Sequence, residues 1–193
     1  MQTSQKDLNS RKDTFRAKKT DSKSKIPTKL DVGCCFRKPE GYWGTDVIHF
    51  TGVDQVFDHT KYPWPLPENH FEEIRLWHIM QYLPDTEATM KEIWRIAASN
   101  AKIIIGVPYF MSLLGFGDRN KAFFTERTFD AFTENSWYAE EKKSFTSGAK
   151  FEITYQKLRT TGKYRKFIPF KGFFRHFLWN IIDEMEIHLK VKK

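Results

Sequence analysis

The sequence predicts an α/β fold, a twisted and mainly parallel sheet with an antiparallel strand added late. Three observations predict it. Short apolar runs alternate with polar connections through the first two-thirds of the chain. One run, Lys102-Ile-Ile-Ile-Gly-Val107, is almost unbroken in β-branched residues, as strands covered on both faces are. The chain then closes with two segments of period-two alternation, Phe151–Tyr155 and Met185–Val191, which read as an antiparallel pair at a sheet edge.

Taken in order, residues 1–25 have few apolar residues and no period, and read as a disordered basic tail. A single domain is expected over 26–193. Ile26–Val32 is the first strand and stops at Gly33. The second, Gly41–Asp46, and the third, Gly52–Asp58, each end in an acid. Pro63-Trp-Pro-Leu-Pro67 holds three prolines, which lack the amide donor and fix φ, so it is a rigid loop. Phe71–Met80 is the fourth strand. Met90, Ile93, Trp94 and Ala97 then share one helical face, with Glu87, Lys91, Glu92 and Arg95 on the other and Asp85 as N-cap. Lys102–Val107 is the fifth strand and Pro108 ends it. A short helix opened by Thr125 is expected over Phe124–Phe132. Phe173–Ile182 reads as a helix or buried loop before the last strand.

At 193 residues the chain is long enough for one full core, and its 40% hydrophobic content is that of a globular protein. No apolar run approaches the ~18–20 residues of a membrane span. The polar N-terminus lacks the apolar middle of a secretory signal, so the cytoplasm is the expected compartment. The formal charge of +8 is uneven. Residues 1–29 hold nine Lys/Arg against three Asp/Glu, which leaves only +2 for the rest. A solvated tail is the preferred reading, ahead of one that binds nucleic acid or anionic lipid. A second basic stretch runs from Lys157 to Arg175, with seven Lys/Arg and no acid. The two cysteines, Cys34 and Cys35, are adjacent. That spacing strains a disulfide, and no further Cys/His pair makes a zinc site, so they read as reduced packing or turn residues and no metal is expected.

In open α/β sheets, ligands sit beyond the carboxyl ends of the strands. Asp31, Gly33, Asp46 and Asp58 stand at three such ends. Gly33, without a Cβ, lets a ligand approach the backbone. Asp46 is placed to accept two hydrogen bonds from a ribose diol, and Asp58 to accept from an exocyclic amine. Taken singly, the glycine is a turn residue and the acids are solvated loop groups. Their order and spacing favour a shared ligand that carries donors.

Those runs carry a resemblance. Leu30-Asp-Val-Gly-Cys-Cys35 with Gly44-Thr-Asp46, then Val53–Asp58, the Pro-Trp-Pro loop and His78, then the helix end and the strand closing in Pro108, together resemble the class I S-adenosylmethionine-dependent methyltransferases. The likeness is to the small branch with a short turn in place of the first helix. It covers about residues 29–133, and more weakly the final strands. It implies a Rossmann-like sheet with helices on both faces and S-adenosylmethionine as cofactor. By that resemblance, Asp31, Gly33, Cys34 and Cys35 lie against the methionine part and Asp46 holds the ribose hydroxyls. Asp58 and His59 lie beside the adenine, and His78 faces the transferred methyl.

The chain departs from the pattern in four places. Cys35 replaces the second glycine of G-C-G, Gln81-Tyr82 replaces E-H after the fourth strand, Ser99-Asn100-Ala101 replaces P-G-G, and Asp118-Arg119-Asn120 replaces D-P-x-H. Methyl transfer asks mainly for alignment of nucleophile, methyl and sulfur, so no catalytic residue is assigned. His78 is a candidate base, equally readable as a packing residue; Asp118 and Asn120 are weaker. The segment 110–124 and the basic, aromatic stretch 157–175 are expected to cover the site, either with their aromatics in the core or against an anionic acceptor. That acceptor is a small molecule or a glycan or lipid precursor; nucleic acid is disfavoured. The alternative is a catalytically inactive relative that keeps the fold as a binding domain.

Overall fold

The computed structural model describes residues 26–134, 148–162 and 167–193. The expected disorder of the tail falls outside them. Seven strands form one sheet: β1 (Lys29–Val32), β2 (Trp43–Asp46), β3 (Gln55–Val56), β4 (Phe71–Trp77), β5 (Ala97–Pro108), β6 (Lys150–Arg159) and β7 (Glu184–Lys192), in the order β3-β2-β1-β4-β5-β7-β6. β1 to β5 pair in parallel, and β7 runs antiparallel to both of its neighbours, β5 and β6. β7 and β6 are thus the antiparallel pair expected at the sheet edge, with β7 inside β6.

Hydrophobic patterning explains the centre of the sheet. Leu30 and Val32 of β1, Ile74 and Leu76 of β4, Ile103 and Ile105 of β5, and Ile187 and Leu189 of β7 are all fully buried. Gly106 lets the sheet close against a large ring, because a Cβ there would stand 2.6 Å from the Trp77 indole.

Helix α1 (Thr86–Ile96) carries the β4-to-β5 crossover. Asp85 caps it, its carboxylate accepting the Ala88 amide at 2.8 Å. Met90, Ile93 and Ala97 are buried as the period predicts and Trp94 packs half-buried against the core; Ile96, off that face, is buried as well, and Glu92 does not lie on the outer face. It is buried, accepts the Trp64 amide at 2.7 Å, and pairs with Arg95. Arg95 in turn donates to the Trp64 and Leu66 carbonyls. The proline loop has backbone donors and acceptors that no strand can pair, and this clasp satisfies them. Within the loop, Trp64 is buried and donates its indole N–H to the His59 carbonyl. The Tyr62–Pro63 peptide is cis.

Helical cover among the described residues is thinner than the expected helices on both faces. Among the described residues, α1 is accompanied only by the one-turn α2 (Lys171–Phe174) and 3-10 turns at Met80–Tyr82 and Thr128–Phe132. Residues 33–42 and 47–54 link β1 to β2 and β2 to β3 without helix. Phe173–Ile182 also differs from a buried segment: Phe173, Phe177, Leu178 and Trp179 are exposed. No helix among the described residues is long and apolar enough to cross a membrane.

Candidate functional site at the carboxyl edge of the sheet

The parallel strands all end at one edge, where the turn after β1 meets the tip of β2. Gly33 takes φ +68°, which bends the chain directly out of the strand. Three successive amides of the turn then bond back to β2. Gly33 and Cys34 both donate to the Thr45 carbonyl, at 2.8 and 3.1 Å, and Cys35 donates to Asp46 Oδ2 at 2.8 Å. Asp46 Oδ1 accepts the Ile48 amide at 3.2 Å. The Asp46 carboxylate is thus aimed by one hydrogen bond on each oxygen, and each oxygen keeps acceptor capacity.

The expectation that Gly33 leaves room for a ligand needs correction. A Cβ on Gly33 would stand 2.8–2.9 Å from the Ile79 side chain, so the missing atom makes room for Ile79. Cys34 is buried, with its thiol against Gly44. Burial, then the nearby Asp31 and Asp46 charges, push that thiol up to about 11, so it is an inert packing group. Both cysteines are unpaired, and no group of three or more metal-ligating side chains occurs among the described residues. Cys35 sits at φ +50°, the left-handed region that favours glycine.

Asp31 is buried at the end of β1. Its Oδ1 accepts from Arg75, its register partner on β4, at 2.9 Å, and its Oδ2 has no partner. Burial raises its pKa, against the pull of Arg75. Asp58 lies further out. It caps its own turn through the Thr60 amide and hydroxyl, which hold its carboxyl below the ordinary range. His59 is buried, bonded to Thr45 Oγ1 at 3.0 Å and packed on Phe57 and Trp64. Burial lowers its pKa to about 4, although Asp46 and Asp58 both pull it up. Asp31, Cys34, Asp46, Asp58 and His59 therefore share one electrostatic neighbourhood.

His78 occupies a different part of the same edge. It ends β4 at φ +56° and reaches across β5, where its Nε2 lies 2.9 Å from Glu184 Oε2 at the start of β7. In the neutral ring, a carboxylate at Nε2 holds the proton there and leaves Nδ1 as the acceptor. Neither Glu184 nor Asp54 was singled out from the sequence. Asp54 accepts the Gly44 amide at 2.7 Å and Lys38 Nζ at 2.6 Å, and so ties the helix-free turn to β2. Its signal was the acid opening Val53-Asp-Gln-Val-Phe-Asp58. For Glu184 it was the acid opening the alternating final strand. Beside Asp46, Phe36, Val47 and Ile48 expose apolar surface.

No family model matches the chain, and no curated protein matches its sequence. Solved structures do match its fold. A putative methyltransferase from Haloferax volcanii, solved in complex with the Trm112 methyltransferase activator, is 12% identical over 87% of this chain and 84% of its own, with a TM-score of 0.52. A SAM-dependent methyltransferase from Archaeoglobus fulgidus is 14% identical over 84% and 85%, with a TM-score of 0.51. The [4+2]-cyclase SpnF is 14% identical over 85% and 75%, with a TM-score of 0.54. The chain has the fold of the class I S-adenosylmethionine-dependent methyltransferases. The cyclase shows that this architecture also carries another reaction, so function rests on the site.

Proposed function

We propose that this chain binds S-adenosylmethionine at the tips of β1 and β2 and is a methyltransferase acting on an anionic small molecule or a glycan or lipid precursor. The observation that carries this reading is Asp46, a nearly buried carboxylate held by two backbone amides with acceptor capacity left on each oxygen. That is the geometry a ribose diol requires. Exposed Phe36, Val47 and Ile48 offer apolar cover for an adenine beside it. The unpartnered Asp31 Oδ2 suits a donor from the methionine end, reached directly or through water.

When bound, the sulfonium supplies an activated methyl group. The chain's task is then to orient the acceptor and to exclude water. His78 is the group we assign to the acceptor's proton. Its Nδ1 is the accepting atom, and Glu184 stabilises the imidazolium that results. Asp58 and Cys34 take no part in the chemistry in this reading.

A second reading, a binding domain without turnover, is favoured by specific observations. The turn amides are taken up by β2, Ile79 fills the space over Gly33, and Cys35 stands where the branch has glycine.

The test is a thermal-shift titration with the cofactor and its demethylated product. At ~100 times Kd the stabilisation is about 2.7 kcal/mol. Asp46→Asn, which keeps one amide acceptor, is expected to lose the shift. A normal shift in that variant removes Asp46 from the cofactor site, and no shift in the parent chain removes the cofactor. Product formation over a panel of acceptors, with His78→Gln as control, separates enzyme from binding domain.

A further inference from the structure

Two clefts meet at Arg175, which lines both. The first, about 830 Å³, lies between the end of β6 and α2 and reaches Glu184, the hydrogen-bond partner of His78. The second, about 580 Å³, opens just beyond the end of β5, between residues 109–111, 125–127 and 175–176. Each has the size of a small-molecule site. They also share a wall. Leu158 and Ile182 of the first cleft and Tyr109, Phe110 and Met111 of the second belong to one small apolar cluster, separate from the main core.

Glu126 is the hub between the clefts. Its Oε1 accepts from Arg175, its Oε2 accepts the Tyr109 hydroxyl at 3.1 Å, and its backbone carbonyl accepts Gln156 Nε2 at 2.9 Å. Arg175 is therefore a paired cation. Arg159 is likewise held by Glu186, and Lys171 has a partner of its own. Three neighbours of the hub differ. Arg127 follows Glu126, Lys157 follows Gln156, and His176 follows Arg175. Among the described residues, no ion pair or hydrogen bond engages the side chain of any of the three. Glu186, the register partner of Lys157, is taken by Arg159 and His188. Five Lys/Arg line the two clefts against two acids, Glu126 and Glu184, and both acids are already bonded. Unmet donors around a neutralised ion pair attract an anion, because no protein charge is left to answer them. A bare anion would leave the shared apolar wall in water. A phosphate or carboxylate on an apolar body meets both the donors and the wall.

We propose that this junction is the acceptor's anion subsite, where Arg127, Lys157 and His176 take a phosphate or carboxylate group whose apolar body lies on the shared wall. In assigning the subsite to the acceptor, the proposal rests on the methyl-transfer reading; the anion site itself does not.

The test is calorimetric titration of the full chain with phenyl phosphate, benzoate and benzyl alcohol, probes that share a ring and differ in charge. An anionic probe is expected to bind, the tighter of the two naming the group, and benzyl alcohol to bind at least about tenfold more weakly. In Arg127→Gln/Lys157→Gln the anion affinity is expected to fall at least about tenfold, with the unfolding temperature and the cofactor's thermal shift unchanged. Each single variant loses part of the affinity, which serves if the double variant does not fold. Lys91→Gln, which removes a cation from α1, is expected to bind as the parent does. Acceptor and cofactor must be bound together, so the cofactor's thermal shift should persist at saturating anion. Equal affinity for all three probes, no anion binding, undiminished binding in the double variant, displacement of the cofactor by the anion, or tighter binding of single-stranded RNA through the same two residues would each overturn the proposal. Anion binding that depends on Arg127 and Lys157 in a chain without a cofactor shift upholds the anion site and overturns the methyl-transfer reading.

Discussion

The two halves of the sheet are held together in different ways. On one side, β1, β2 and β3 are four, four and two residues long and are joined by helix-free turns. Polar groups carry much of the load there: Asp46 on the turn amides, Asp54 between Gly44 and Lys38, Asp31 on Arg75, and the Glu92–Arg95 clasp on the proline loop. On the other side, β5, β7 and β6 are twelve, nine and ten residues long, with long antiparallel ladders, unbroken between β5 and β7 and shifted once, between Ile153 and Tyr155, in β6. The long ladders are laced by side-chain pairs as well, Glu186 with Arg159 and His188 and Glu152 with Lys192, but their backbone bonds carry the pairing. The short strands concentrate carboxylates at one edge, the edge at which we propose the ligand binds.

Four perturbations test that contrast, in order of decreasing size. Ile105→Ala empties the middle of β5 and is expected to destabilise the chain by about 3–4 kcal/mol in urea unfolding. It should leave ligand-dependent stabilisation intact in the remaining folded protein. If cofactor binding is lost at temperatures where the variant is folded, the halves are not separable.

Acid should act through the first half. His59 is neutral and buried, with its pKa lowered to about 4 from 6.5. Between those values the unfolded chain binds a proton that the folded chain does not, so stability falls as pH falls from about 6.5 to about 4 and then levels for this group. The loss is up to roughly 3 kcal/mol. His59→Gln is expected to flatten that window in urea midpoints measured against pH; an unchanged slope would place the acid sensitivity elsewhere.

Glu92→Gln weakens the clasp, leaving Arg95 with only the exposed Glu68, at 3.4 Å, as its charge partner. A loss of about 2 kcal/mol is expected, with proteolysis appearing first at the proline loop. Cuts that begin in β6 or β7 would contradict the contrast. Cys35→Gly removes a left-handed non-glycine residue and is expected to stabilise by roughly 0.5–1 kcal/mol, read as a raised unfolding midpoint.

Much of the fold was legible in particular residues. The Lys102–Val107 run announced a strand buried on both faces, because such a run has no polar side to turn to water. Asp85 announced the helix start. The alternation in 151–155 and 185–191 announced the antiparallel pair. The turn after β1 and the acid at the tip of β2 were also readable, since both depend on local spacing. Asn100, one of the departures from the branch's P-G-G, proves compatible with it: at φ +64° it adopts the left-handed conformation that asparagine tolerates best after glycine.

The rest lay in pairings that sequence distance hides. Glu92 looked like an outer-face acid until the proline loop presented an amide to it. Ile79 looked like strand core until it covered Gly33. Glu184 meets His78 from 106 positions away. The aromatics of the stretch were readable as core filling or as cover for an acceptor, and Phe167, Phe170, Phe173, Phe177 and Trp179 are on the surface. Local periodicity and backbone chemistry, which the sequence contains in full, determined the strands, the helix start and the β1 bend. Only tertiary structure decided which polar group answers which, and which apolar face stays uncovered, because desolvation and hydrogen-bond satisfaction are set by neighbours in space and not along the chain.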